Sequence, residues 1–224
     1  MPLVELPPEP VRLDNLINGS WATPSGASYL DVRSPYTGQV IGQVPLTPPA
    51  EVERAVAAAD RAFAGWSSTP IKERAQAIFK MRELMLAGLE RLAHSAAGEA
   101  GKTVAEARAE VLKGIEVAEF ALSLQNLDTG GVLEVSRGIT CEYRREPLGV
   151  VAGITPFNFP AMVPMWMFPI ALALGNTFIW KPSEKVPLTA NLIGALMNEA
   201  GFPPGVFSVV HGGKPASFIS APIR

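Results

Sequence analysis

From Pro147 to Ile179 the chain carries no charged residue, yet Pro147, Pro156, Pro160, Pro164 and Pro169 punctuate it and Gly175-Asn176 lies near its end. A stretch this long and apolar could span a bilayer. Each interior proline, however, removes a backbone donor and clashes with the preceding turn, which excludes one continuous helix. The remaining solution is a buried strand–turn–helix–strand. It predicts short apolar strands at 150–154 and 177–180 with a helix over about 162–174 between them. A second helix over about 188–200, with Gly201 as C-cap and Pro203 beyond, leads to a third strand at 206–210. Alternating strands and helices argue βαβ units and a parallel sheet, so the expected fold class is α/β.

Upstream the patterning is different. Residues 15–45 read as short strands, with Asn18-Gly19 as a hairpin signal and Thr37-Gly38 as a second turn. Thr47-Pro48 reads as a cap followed by a first-turn proline, opening a helix with Val52, Val56, Ala59, Phe63 and Trp66 at helical spacing. Thr69-Pro70 repeats the signal and opens one long helix with Ile78, Met81, Met85, Leu89 and Leu92 on a side. A third helix runs over about 104–124, with Val111, Ile115, Ala118 and Leu122 as its stripe. These stripes are core faces. The pattern breaks at 128–131, and 132–145 alternates as a hairpin turning near Arg137-Gly138.

Composition narrows the function. The chain is 48% hydrophobic and 18% charged, ample for a packed core. A net charge of −2 leaves no basic footprint for nucleic acid. The only cysteine, Cys141, excludes an internal disulfide framework and suits a reducing compartment, so a cytoplasmic location is expected. The amino terminus has acids and prolines but no basic and apolar regions of a signal peptide. Neither His94 nor His211 has Cys or His near it at ligand spacing, so no metal site is expected. Gly101-Lys102-Thr103 resembles a phosphate loop, but position 96 is Ala and a helix precedes it, so it fails that pattern.

The chemistry is concentrated after two successive strands. Asn158 lies in the Pro-flanked turn Thr155-Pro-Phe-Asn-Phe-Pro160, and Lys181 and Glu184 lie at the end of the next strand. Singly, Asn158 could bond its own backbone and the charged pair could be solvated. Together, at adjacent strand ends of one parallel sheet, they suggest a nucleotide site with an amide beside it.

Residues 156–169 and 175–185, with Gly205-Val-Phe-Ser-Val-Val-His-Gly212, resemble the aldehyde dehydrogenase superfamily, in its methylmalonate-semialdehyde dehydrogenase (acylating) type. Ile17-Asn-Gly-Ser-Trp21, Ser34-Pro-Tyr-Thr-Gly38 and Gly101-Lys-Thr103 extend the resemblance over nearly the whole chain. It implies an NAD-dependent oxidation of methylmalonate or malonate semialdehyde to an acyl-CoA, with NAD as cofactor, CoA as co-substrate and a small-molecule aldehyde as substrate. It implies that Asn158 is the oxyanion-hole amide, that Thr155 and Phe157 line the cofactor, and that Lys181 and Glu184, with Lys185 beside them, bond the adenosine ribose. It also implies a family homo-oligomer, with the 132–146 hairpin as its arm.

The implied organisation is an amino-terminal part of the cofactor domain over 1–131, the oligomerisation hairpin over 132–146, and an incomplete Rossmann-like NAD-binding core over 147–224, with the catalytic domain absent. No position matches the family's nucleophilic cysteine or general-base glutamate, and Cys141 falls in the hairpin. The chain alone is therefore expected to be inactive. The alternative is a non-catalytic fragment that binds nucleotide weakly or associates with a full-length relative. Lys113 stands where the acylating type usually has an arginine for the substrate carboxylate, and loses its bidentate fork. The tail at 217–224 reads either as a shortened approach to the pyrophosphate loop or as unrelated sequence. With strands missing, 206–210 is expected at an unprotected sheet edge, giving a chain that is marginal alone.

Overall fold

The computed structural model describes residues 6–127 and 130–213. The tail at 217–224 lies outside them, and the break at 128–131 lies partly outside. In chain order the elements are β1 (Val11–Arg12), β2 (Asn15–Ile17), β3 (Ser20–Ala22), β4 (Ser28–Arg33), β5 (Val40–Leu46), α1 (Pro49–Ser68), α2 (Ile71–Ala87), α3 (Leu89–Ala100) and α4 (Val104–Leu127). Then come β6 (Gly131–Ser136), β7 (Ile139–Tyr143), β8 (Val150–Ile154), α5 (Met162–Met165), α6 (Phe168–Ala173), β9 (Thr177–Lys181), α7 (Pro187–Glu199) and β10 (Phe207–Val209).

The central sheet has the order β3-β2-β10-β9-β8, with β8, β9 and β10 parallel. Side chains alternate across it, as strand geometry requires. Phe178, Trp180 and Phe207 face α6, where Phe168 meets all three rings at 5.1 to 6.2 Å between centroids. Met81, Met85 and Ile193 complete that side of the core. Ile179, Val150 and Val210 face the small side of α1, formed by Val52, Ala55, Ala58 and Ala59. Burying each large apolar side chain contributes about 1.5–3 kcal/mol. The sheet therefore carries a thick aromatic layer on one face and a thin alanine layer on the other. A smaller sheet, β1-β5-β4, and the separate β6–β7 hairpin complete the fold.

The α/β expectation holds, and four local expectations are corrected. First, the strand expected over 206–210 is not an edge. β10 pairs with β9 on one side and with the amino-terminal β2 on the other, Val209 opposite Leu16. The hairpin at Asn18-Gly19 covers it, and the sheet ends instead at β3 and at β8, where Ala152 and Ile154 are exposed. Second, the long helix after Thr69-Pro70 is two. At Gly88 ψ reaches 9°, which takes the chain off the helical path before α3 restarts. Third, the helix expected over 162–174 is broken between α5 and α6, because Pro169 has no N–H and its ring crowds the carbonyl four residues back. Fourth, Thr47 does not cap α1. Pro48 occupies that position without a side-chain bond, and the Thr47 hydroxyl accepts from Asn15 Nδ2 at 2.9 Å.

Candidate functional site

β8 and β9 end side by side, with Ile154 opposite Lys181. Directly after β8, the Thr155 N–H donates to the Lys181 carbonyl at 3.2 Å, and the buried Thr155 hydroxyl accepts from Trp180 Nε1 at 2.8 Å. The chain then bends outward. Phe157 and Asn158 are exposed, Phe159 is half-buried and Pro160 is buried. Asn158 is exposed, and among the described residues its side chain makes no hydrogen bond.

The loop after β9 returns toward that bend. The Lys185 ammonium stands 4.6 Å from the centre of the Phe157 ring, within the range of a cation–π contact. Lys181 is 4% exposed at its side chain, and its Nζ lies 3.4 Å from Glu184 Oε2. Burial pulls the Lys181 amine below its ordinary range, while the Glu184 carboxylate opposes that shift. An ammonium with one long partner has donors to spare, and the carboxylate beside it accepts. That donor set suits a sugar diol, and a phosphate ester would meet the like charge of Glu184. Phe157, Lys181, Glu184 and Lys185 are therefore drawn together, with Thr155 as a buried anchor.

Two carboxylates absent from the sequence-derived candidates, Glu110 and Glu99, hold these loops from behind. Glu110 Oε1 on α4 accepts the Ala161 and Met162 N–H groups at 2.8 and 3.2 Å, and its Oε2 lies 2.6 Å from Lys102 Nζ. Glu99 at the end of α3 accepts the Leu188 and Thr189 N–H groups, both at 2.8 Å. Each thus satisfies the first free donors of the helix that follows a site loop. Burial raises the Glu99 carboxyl to about 7, opposed by its bonds from Thr189 and Leu188. A signal was present: both glutamates fall on the apolar stripe of their helices, beside Ala96 and Ala107, where a solvated charge would not be placed.

His211 is fully buried, with its Nε2 2.6 Å from Asn191 Oδ1 and its N–H donating to Asn15 Oδ1, so it ties α7 and β2 together. Burial, reinforced by the Lys181 charge, lowers its pKa to about 3, which keeps it neutral. Lys113 is exposed on α4 and paired with Glu116 at 2.9 Å. Cys141 is exposed on β7, in the hairpin and not in the central sheet. Gly101 is the left-handed C-cap of α3, with φ of 71°, and Thr103 forms a reciprocal cap with Glu106 at the start of α4. Among the described residues no group of three or more His, Cys, Asp or Glu could hold a metal, and no helix is long and apolar enough to cross a membrane.

Comparison with known proteins agrees with this architecture. The family model for the aldehyde dehydrogenase family matches residues 21–218. Malonate-semialdehyde dehydrogenase 1 of Geobacillus kaustophilus (strain HTA426) is 47% identical over 206 residues, covering 92% of this chain and 42% of that protein. The crystal structure of methylmalonate-semialdehyde dehydrogenase (DddC) from Oceanimonas doudoroffii superposes with a TM-score of 0.90 at 39% identity, over 94% of this chain and 43% of that one. A structure from Sinorhizobium meliloti 1021, described as a candidate methylmalonate-semialdehyde dehydrogenase complexed with NAD, gives a TM-score of 0.90 at 37% identity, over 94% and 43%. The chain thus spans about 42% of the length of the curated relatives it matches. With the parallel β8-β9-β10 unit and its two site loops already in view, the match over most of its residues shows that this chain belongs to the aldehyde dehydrogenase family.

Proposed function

We propose that this chain forms the dinucleotide-binding edge and the oxyanion amide of an NAD-dependent enzyme that oxidises malonate or methylmalonate semialdehyde to an acyl-CoA. The observation that carries the reading is the joining of the two loops: Lys185 over Phe157 sets the Lys181–Glu184 pair beside the turn that displays Asn158. Glu184 accepts from the ribose hydroxyls and Lys181 donates to them. The Glu184 charge disfavours a 2′-phosphate, which selects NAD over NADP. When bound, the dinucleotide accepts the hydride that leaves the aldehyde carbon.

Asn158 donates its side-chain N–H to the aldehyde oxygen as negative charge develops there. Loss of such a donor typically costs roughly 3–4 kcal/mol of barrier. The residues of this chain supply no matching thiolate, since Cys141 lies in the hairpin. The three-part division into an amino-terminal cofactor segment, a hairpin arm and a Rossmann-like core belongs to the same proposal. So does assembly through the hairpin, whose Val132, Leu133, Val135 and Ile139 are all exposed.

Titration calorimetry with NAD and with NADP tests the reading. NAD is expected to bind and NADP to bind at least about tenfold more weakly, with Glu184→Gln narrowing the gap. Absence of NAD binding at millimolar concentration would overturn the cofactor assignment. An aldehyde-dependent rise in NADH absorbance from the pure chain, abolished in Asn158→Ala, would overturn the inactivity of the chain alone.

A further inference from the structure

We propose that Glu110, held by Lys102, is a positioning residue that sets the aim of the Asn158 amide by clamping the far end of its turn. The proposal rests on the reading of Asn158 as the oxyanion amide. An oxyanion donor must be placed within about 0.5 Å to be useful. The Asn158 side chain has no hydrogen-bond partner among the described residues, so its aim depends on the backbone of the turn.

That backbone is fixed at two points. The near end is tied to β9 through Thr155, by its N–H to the Lys181 carbonyl and its hydroxyl to Trp180. The far end is tied by Glu110, which takes the N–H groups of Ala161 and Met162 with one carboxylate oxygen. α5 is only four residues long and contains Pro164, so it cannot order its own first turn. The Glu110 side chain is 1% exposed, and Lys102 at 2.6 Å supplies its counter-charge.

Lys102 also reaches the turn directly. Its Nζ stands 4.0 Å from the centre of the Phe159 ring, the residue next to Asn158. Lys102 is itself held from both sides. Its carbonyl accepts from the Tyr36 hydroxyl. Gly101 before it is packed against Pro35, which an added Cβ would meet at 2.9 Å. After it, Thr103 and Glu106 cap α4. The Gly101-Lys-Thr103 sequence, which failed as a phosphate loop, thus acquires a role. It delivers one ammonium to a buried carboxylate and to the aromatic flank of the reacting turn.

Amide hydrogen exchange and NMR of the full chain test this. Glu110→Ala is expected to speed exchange at Ala161 and Met162 by at least about tenfold, as loss of a charged hydrogen bond implies, and to broaden the Asn158 side-chain amide signals. Added acetate is expected to restore the protection by supplying a carboxylate to the vacated space. Lys102→Met is expected to give the same pattern more weakly and to shift the Phe159 ring signals. Glu110→Gln, which keeps the volume, is expected to move the Ala161 and Met162 amide resonances and is the variant to read where the alanine form does not fold. Met85→Ala, a core cavity elsewhere, is expected to speed exchange across β9 and α7 alike and to ignore acetate. Protection at Ala161 and Met162 unchanged in Glu110→Ala, no response to acetate, or a Met85→Ala pattern matching that of Glu110→Ala would overturn the proposal. NAD titration of the unmutated chain is a separate arm: no binding, with the turn released in Glu110→Ala, sinks the cofactor reading while the clamp stands.

Discussion

The Trp180 indole N–H donates to the Thr155 hydroxyl at 2.8 Å, joining the ends of two adjacent parallel strands at the base of the site. Trp180 is wholly buried, and Thr155 nearly so. The bond satisfies a donor that has no route to water and fixes where the chain leaves β8.

Thr155→Val keeps the shape and removes the acceptor. An unsatisfied buried donor costs about 1–3 kcal/mol, so the urea midpoint is expected to fall by that equivalent. A variant as stable as the unmutated chain would show that the indole N–H finds another acceptor.

Lys181→Met separates binding from folding. The buried Lys181 ammonium loses hydration on folding, and Glu184 is exposed enough for water to replace its partner. Stability is therefore expected to stay level or rise. NAD affinity is expected to fall about tenfold, the usual order for a lost charged hydrogen bond. Calorimetry and thermal melting of the same sample read both quantities, and equal losses in both would contradict the assignment.

Glu99 and His211 give stability an unusual pH dependence. Glu99 holds its proton in the fold up to about 7, against 4.5 when unfolded, so its share of stability falls as pH rises from 4.5 to 7. His211 stays neutral in the fold down to about 3, against 6.5 when unfolded, so its share rises as pH rises from 3 to 6.5. Between 4.5 and 6.5 the two slopes oppose. Glu99→Gln removes one of them, and the unfolding free energy of that variant, read from urea titrations, is expected to climb through this window by up to about 1.4 kcal/mol per pH unit. A variant profile parallel to that of the unmutated chain would refute the pairing.

Gly205→Ala is expected to be severe. The residue has φ of 88°, and an added Cβ would lie 2.6 Å from the Ala58 carbonyl oxygen and 2.9 Å from Ala62 Cβ. Backbone strain adds to the clash, so a loss of roughly 2–4 kcal/mol is expected from the thermal midpoint. A shift below about 1 kcal/mol would mean that α1 yields more readily than its alanine packing against the sheet indicates.

Local patterning made much of this molecule readable from sequence. Apolar runs and turn residues marked β8, β9 and β10, and the spacing of Ile78, Met81 and Met85 marked a core face. Asn158, Lys181 and Glu184 stood out because they follow successive strands. What escaped were relationships between distant segments. Nothing near Val209 announces that Leu16 will pair with it. Glu99 and Glu110 stand out as charges on apolar helix stripes, but the sequence does not show that α7 and α5 will bring their free N–H groups to them. Gly88 is a single glycine within a helical pattern, and only its observed ψ shows that it ends one helix.

The placement of β10 between β9 and β2 sets an order of events at the ribosome. The β2–β3 hairpin has no seat until β10, made some 190 residues later, has emerged, so its buried face must wait unpaired over that interval. Assembly of this sheet thus runs against the direction of translation, and the pairing of β10 with β2 is a late, slow step.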